Sequence, residues 1–290
     1  MTEKFILNFA PTGMVPTKEQ NPAVPIAINE IIEEVCAAYE IGITIVHLHA
    51  RDHEGKPSAD LSIFSRISEG ISQYCPELVQ CFSLSGRNTA DPHLRAAPLE
   101  LHPDMASLTL SSLNFVNQAS INAPDTIHLL CEEMMHYGVK PELEVFDLGM
   151  MNYAHYLISK KIIQAPFYFN FMLGNIAGMQ SKPDHLGLLI NGLPPSSFWA
   201  VAGLGTYQLS ANMMGLASGG GVRIGLEDNL YLDHAKTSLA TNQKLLQRIH
   251  NIAQLSERTM MTASEFGQLG FYNKIKRQLF QTSELIGSTK

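Results

Sequence analysis

Residues 43–52 read ITIVHLHARD, an apolar, β-branched run that carries two histidines one residue apart and ends in an arginine and an aspartate. Successive residues of a strand face opposite sides, so His47 and His49 share one face. If this run is a strand of a parallel barrel, both histidines stand near its C-terminal end, where barrel enzymes build their sites. Two readings are open from the run alone. One is a hydrogen-bonded pair of core histidines, and the other is two imidazoles aimed at a divalent metal.

The rest of the chain decides which architecture holds the run. Similar apolar stretches begin at Phe5 (FILNFAPTG), Leu78 (LVQCFSLSG), Met105 (MASLTLSS), Pro141 (PELEVFDLG), Phe167 (FYFNFMLG), Phe198 (FWAVAGLG) and Val222 (VRIGLEDN). Between them lie AINEIIEEVCAAYEIG, LSIFSRISEGISQY, DTIHLLCEEMMHYG and HAKTSLATNQKLLQRIHNIAQL, whose apolar residues recur at three and four, as on crossover helices. Eight βα units predict a (β/α)₈ TIM barrel rather than a doubly wound sheet. The expected organisation is one catalytic domain over residues 1–260 with a C-terminal extension, 261–290, packing on the barrel or on a neighbouring subunit. The proline-rich MVPTKEQNPAVP after the first strand predicts an ordered loop at the active-site mouth.

Composition narrows the partners. A net charge of −7 with no Lys/Arg cluster excludes nucleic acid or an anionic membrane as the main partner and favours a small molecule. The N-terminus lacks the basic start and apolar core of a signal peptide, and no apolar run approaches the roughly 18 residues that span a bilayer. Four scattered cysteines, Cys36, Cys75, Cys81 and Cys131, read as small buried apolar groups in a reducing compartment. The expected location is the cytoplasm.

A barrel gives the histidines company. In VRIGLEDN, Arg223, Gly225 and Glu227 share a face by the strand period of two, with Asp228 next where the strand ends. Barrel closure sets the first strand between the eighth and the second, so Glu227 approaches from one side and His47 and His49 from the other. Two histidines and a glutamate with open positions form a catalytic set most often occupied by Zn²⁺. Arg223, pointing inward, demands a carboxylate or anion. Softer candidates are Ser83 and Ser85 in SLSGR, where Gly86 leaves room for a ligand, then Ser107 and Thr109, and Glu144. GLGTYQ, residues 203–208, is a weak phosphate signal, and Gly219–Gly221 reads as a turn on the opposite face.

With these residues in hand, the chain resembles the β-keto acid cleavage enzymes from about Phe5 to about Gln254. TG near the start, HLHARD, MASLTLSSLNF, PELEVFDLGM, FWAVAGLG and RIGLEDNLY carry the resemblance, in that order. It implies a zinc-dependent barrel that condenses a β-keto acid with acetyl-CoA and releases acetoacetate and a new acyl-CoA by Claisen and retro-Claisen steps. It implies metal ligands at His47, His49 and Glu227, proton abstraction by Asp228 with Arg223, and substrate contacts at Ser83, Ser107 and Glu144. It also implies a homo-oligomer, a dimer or a tetramer. The family's best-known member holds its substrate's ammonium group with a glutamate where this chain has Val15. Val15 therefore argues for a neutral or apolar substrate side chain.

Two rivals remain. A metal-dependent TIM-barrel hydrolase also uses H-x-H, but on the first strand and with histidines after strands five and six, where this chain has DLG and MLG. A non-catalytic metal or CoA-ester binding barrel has no use for Arg223 and Asp228 beside the ligands.

Overall fold

The computed structural model describes residues 4–87, 89 and 91–276. Eight parallel strands close into a barrel in chain order: β1 (Leu7–Phe9), β2 (Ile45–Leu48), β3 (Val79–Phe82), β4 (Met105–Thr109), β5 (Lys140–Val145), β6 (Phe167–Leu173), β7 (Ser197–Gly203) and β8 (Gly221–Ile224). Every apolar run counted in the sequence supplies one strand. The closing strand β1 pairs with β8 through Asn8↔Arg223 and with β2 through Asn8↔Ile45 and Phe9↔Val46. The ends of β2 and β8 therefore flank the end of β1, as closure predicts.

Helices α1 (Ile28–Ile41), α2 (Leu61–Tyr74), α3 (Pro92–Ala96), α4 (Pro124–His136), α5 (Leu148–Ser159), α6 (Pro183–Asn191), α7 (Gln208–Ala217) and α8 (Asn242–Leu255) surround the strands. Alternation along the strands fixes which side chains meet them. Leu7, Phe9, Val46, Leu48, Val222 and Ile224 point outward and share a core with Ile31, Ile67 and Leu245. Asn8, His47, Cys81, Glu142, Asn170 and Arg223 alternate with outward residues and are buried in the barrel interior.

One helix is shorter than its pattern. The periodic stretch from His234 predicts helix throughout, but α8 begins only at Asn242. The Asp233 carboxylate accepts the Thr237 and Ser238 N–H groups, closing a turn that competes with helix. Thr241 then caps α8 by accepting the Lys244 N–H.

The base of the barrel is filled from the far end of the chain. Phe266, in α9 (Ala263–Phe266), and Phe271 stack with ring centroids 4.1 Å apart. Both are fully buried among Ile6, Ile45, Val79, Met105 and Tyr168 at the lower strand ends. Residues 277–290, the remainder of the expected extension, lie outside the described residues. Among the described residues no helix is long and apolar enough to cross a membrane.

Candidate active site

Three donor groups meet at the top of β1. His47 Nε2 lies 3.3 Å from His49 Nε2, which lies 3.0 Å from Glu227 Oε1, and His47 Nε2 is 3.9 Å from the same oxygen. One ligand atom from each of the three falls within 4.8 Å of the others. The strand parity that pointed to Glu227 is not what positions it, because β8 stops at Ile224 and Glu227 and Asp228 sit in the following turn. That turn is tied down on all sides. Glu227 N–H donates to Ala10 O, Leu226 N–H to Asn242 Oδ1, and Asn242 Nδ2 to Pro11 O.

Gly13 makes room for the Glu227 carboxylate. Its φ of 68° is left-handed, and a Cβ there would stand 2.6 Å from Glu227 Cγ. The TG of the N-terminal motif is thus a backbone approach to the site.

Sequence parity missed the group beneath the histidines. Glu142, on the same face of β5 as Glu144, is fully buried, and its Oε2 accepts from His47 Nδ1 at 2.7 Å. Asn8 Nδ2 and Asn170 Nδ2 donate to its Oε1 at 2.5 and 3.1 Å, and Cys81 Sγ approaches Oε2 at 3.3 Å. Burial alone would raise the pKa of Glu142, but His47, Arg223 and Asn8 outweigh it and hold the carboxyl at about 2. Burial pushes His49 down to about 4 despite Glu227 beside it, leaving a neutral imidazole with a lone pair to give. The signal was present in PELEV, where two carboxylates share one inward face.

Arg223 links the carboxylates. Its Nε donates to Asp228 Oδ2 at 3.0 Å and its Nη2 to Glu227 Oε1 at 2.7 Å, while Nη1 lies 3.7 Å from Glu144 Oε1. Thr109 Oγ donates to Glu144 Oε2 at 2.6 Å. Burial opposes the charge on Arg223, yet Asp228, Glu227, Glu142 and Glu144 raise its pKa well above the ordinary value. Burial raises the Asp228 pKa, with Glu227 adding and Arg223 opposing. Burial would also raise Glu227, but His49, Arg223 and His47 hold it well below the ordinary carboxylate range.

This donor set fits a divalent metal. Four carboxylates, Glu142, Glu144, Glu227 and Asp228, surround one guanidinium, so the buried centre has excess negative charge that a cation would offset. Glu227 Oε2 is buried without a hydrogen-bond partner, the condition expected of an oxygen shaped to bind something else.

The remaining expected residues divide. Ser83, Ser85, Val15, Met14 and Glu144 line the cavity over this centre. Ser107 does not; its Oγ accepts the Leu84 N–H between β3 and β4, and Thr109, two residues on, reaches the cavity. Gly86 leaves no room for a ligand, since a Cβ there would meet Ile121 O at 2.6 Å and Arg95 Nη1 at 2.7 Å. Arg51 turns away from the site, donating to Gly13 O and Pro16 O in the β1–α1 loop and to Gly55 O in the turn that follows Arg51. GLGTYQ supports the β8 turn, with Gly205 N–H on Asp228 O and Gln208 Nε2 on Gly225 O. His155 and His185 lie in α5 and α6, bonded to Gly192 O and to the Gln180 N–H.

The sequence profile of the β-keto acid cleavage enzymes matches residues 4–269. The chain belongs to this family. The 3-keto-5-aminohexanoate cleavage enzyme of Fusobacterium nucleatum is 37% identical over 271 residues, 93% of this chain and 98% of its own length. The 3-oxoadipate:acetyl-CoA acetyltransferase of Cupriavidus necator is 35% identical over 268 residues, 91% of this chain and 94% of its own. Among solved structures, the ternary complex of ObcA with a C4-CoA adduct and oxalate superimposes with a TM-score of 0.75. At 20% identity, over 86% of this chain and 67% of that one, it shares the fold.

Proposed function

We propose that the chain condenses a β-keto acid with acetyl-CoA and releases acetoacetate and a new acyl-CoA, using His47, His49 and Glu227 to hold a divalent metal. The convergence of those three donors beside the buried Arg223–Asp228 pair carries the reading. A metal held there supplies Lewis-acid polarisation of the β-ketone, and two imidazoles with one carboxylate favour Zn²⁺.

The protein's own groups do the rest. Asp228, within reach of the cavity and fixed by Arg223 Nε, removes the proton from the carbon between the two carbonyls. That carbon bonds to the acetyl carbonyl, and CoA thiolate leaves. The thiolate then adds to the original ketone carbon, and the bond from there to the central carbon breaks. Asp228 returns its proton to the departing acetoacetate. Arg223 spreads the negative charge of Asp228 and Glu227 through these steps, and Ser83 offers a hydroxyl to the keto acid. Val15 lines the cavity where a carboxylate would be needed to hold an ammonium group, which favours a substrate side chain with an apolar stem.

Relatives named for transfer involving acetyl-CoA support acetyl-CoA as co-substrate. Four free cysteines support a cytoplasmic location. The test is a panel of β-keto acids with acetyl-CoA, scored for acetoacetate with and without chelator. Absence of acetoacetate from every acid defeats the reading, and chelator-resistant turnover removes the metal from it.

A further inference from the structure

The cavity over the metal-ligand residues contains a cation that the reaction leaves unused. Arg87, just beyond β3, lines it together with Met14, Val15, Phe115, Phe146 and Leu204. The other arginines around this mouth are committed. Arg223 is held by three carboxylates, Arg51 donates to three carbonyls, and Arg95 donates to Leu84 O, Ile121 O and Asn122 Oδ1. Among the described residues Arg87 has no carboxylate within ion-pair distance. Its guanidinium carbon sits 4.5 Å from the Phe115 ring centroid, and its Nε meets Ser85 Oγ only at 3.5 Å. A cation–π contact stabilises the charge without consuming N–H donors, so most of the donor fork stays available.

The chemistry this wall selects follows from what surrounds it. The acidic groups in the cavity, Glu144, Glu227 and Asp228, are all engaged by Arg223. A substrate whose keto and carboxylate end is at the metal-ligand residues runs outward along Met14, Val15, Phe146 and Leu204, a surface suited to methylenes. Arg87 shares this cavity as a half-buried guanidinium, the group whose planar fork matches a carboxylate in two parallel hydrogen bonds. We infer that Arg87 binds a second carboxylate on the far end of the β-keto acid, so that the preferred substrate is a β-keto diacid with a short apolar stem. This inference rests on the proposed cleavage reaction and names its substrate class, and it revises the neutral side chain that Val15 alone suggests, since Val15 faces the stem and Arg87 the terminal group. Phosphate groups of CoA share the anion chemistry, and the experiment separates the two sources.

The test measures kcat/KM and the KM for acetyl-CoA in the metal-loaded enzyme, with 3-oxohexanedioate and the length-matched 3-oxohexanoate as keto acids. The wild type favours the diacid by at least tenfold. Arg87→Met lowers kcat/KM for the diacid by about 10–100-fold, the loss of a charge-assisted pair, and leaves 3-oxohexanoate and the KM for acetyl-CoA within twofold. Arg87→Lys retains an intermediate preference, because the charge stays and the fork is lost. A wild type that prefers the neutral acid overturns the inference. So does an Arg87→Met variant that raises the KM for acetyl-CoA equally with both acids, which would assign Arg87 to CoA. Acetoacetate from neither acid, nor from any other, would instead overturn the cleavage reaction itself.

Discussion

The carboxylate of Glu142 accepts a hydrogen bond from His47 Nδ1 at 2.7 Å, 95 residues away along the chain and inside the barrel. An ionised carboxylate can only accept, so Nδ1 carries a proton, and in the neutral imidazole Nε2 is then the nitrogen whose lone pair faces His49 and Glu227. Glu142 therefore chooses the imidazole tautomer that a metal needs, and Asn8 and Asn170 hold Glu142 in turn.

Replacing that charge without its shape isolates this role. Glu142→Gln keeps the volume and an acceptor oxygen but no longer fixes the tautomer by charge. Metal affinity is expected to fall by about 10–100-fold, with turnover restored by excess metal. Competition against a chromogenic chelator reads the affinity directly. Unchanged affinity in a folded variant would reduce Glu142 to a packing residue.

Gly13→Ala acts on the other side of the proposed ligand set. The new methyl would fall 2.6 Å from Glu227 Cγ on a backbone at φ 68°. Strain at such a position is of the order of 1–3 kcal/mol, and relief requires Glu227 to move. A lower melting temperature together with weaker metal binding is the expected pair of results. Wild-type metal binding in the variant would mean that the β8 turn shifts without losing its geometry.

The barrel was legible because a parallel sheet covered by helices leaves each strand a compact apolar run, and eight such runs stand at regular intervals. His47 and His49 were legible for the same reason, since two residues of one strand must share a face. Parity failed where strands end. Arg51 has the parity of the two histidines, but β2 stops at Leu48, and Ala50–Arg51 pairs with Pro57–Ser58 in a separate small sheet that turns the guanidinium away. Glu227 was found by a period that β8 does not run long enough to keep.

Asn8, Asn170 and Glu142 were harder still. An inward polar residue is interpretable only through its partners, and these partners lie on strands 28 and 134 residues away. Nothing local distinguishes the Asn of FNF from one facing water. Arg87 in SLSGR carries no local signal of a role, because its lack of a carboxylate partner among the described residues is a three-dimensional property.

The base of the barrel offers a control that leaves chemistry alone. Phe271 is fully buried against Phe266 and Tyr168, at the end opposite the site. Phe271→Ala is expected to cost about 3–5 kcal/mol in denaturant unfolding, by lost burial and a cavity. Activity per folded molecule should stay within twofold. A large fall in kcat with little loss of stability would show that the plug is coupled to the site above it.

Asp228→Asn separates catalysis from binding. Asn retains an oxygen for Arg223 Nε and nearly the same volume, so the turn after β8 and the Glu227 carboxylate should keep their places. It has no basic oxygen, and loss of a positioned base costs about 10²–10⁴ in rate. The expected result is a fall in kcat of that order, with metal content unchanged and the KM for the keto acid altered by less than threefold. The fall should not be rescued by added metal, unlike that of Glu142→Gln. Retained activity would remove Asp228 from proton abstraction, and loss of metal along with activity would place it among the groups that hold the metal centre.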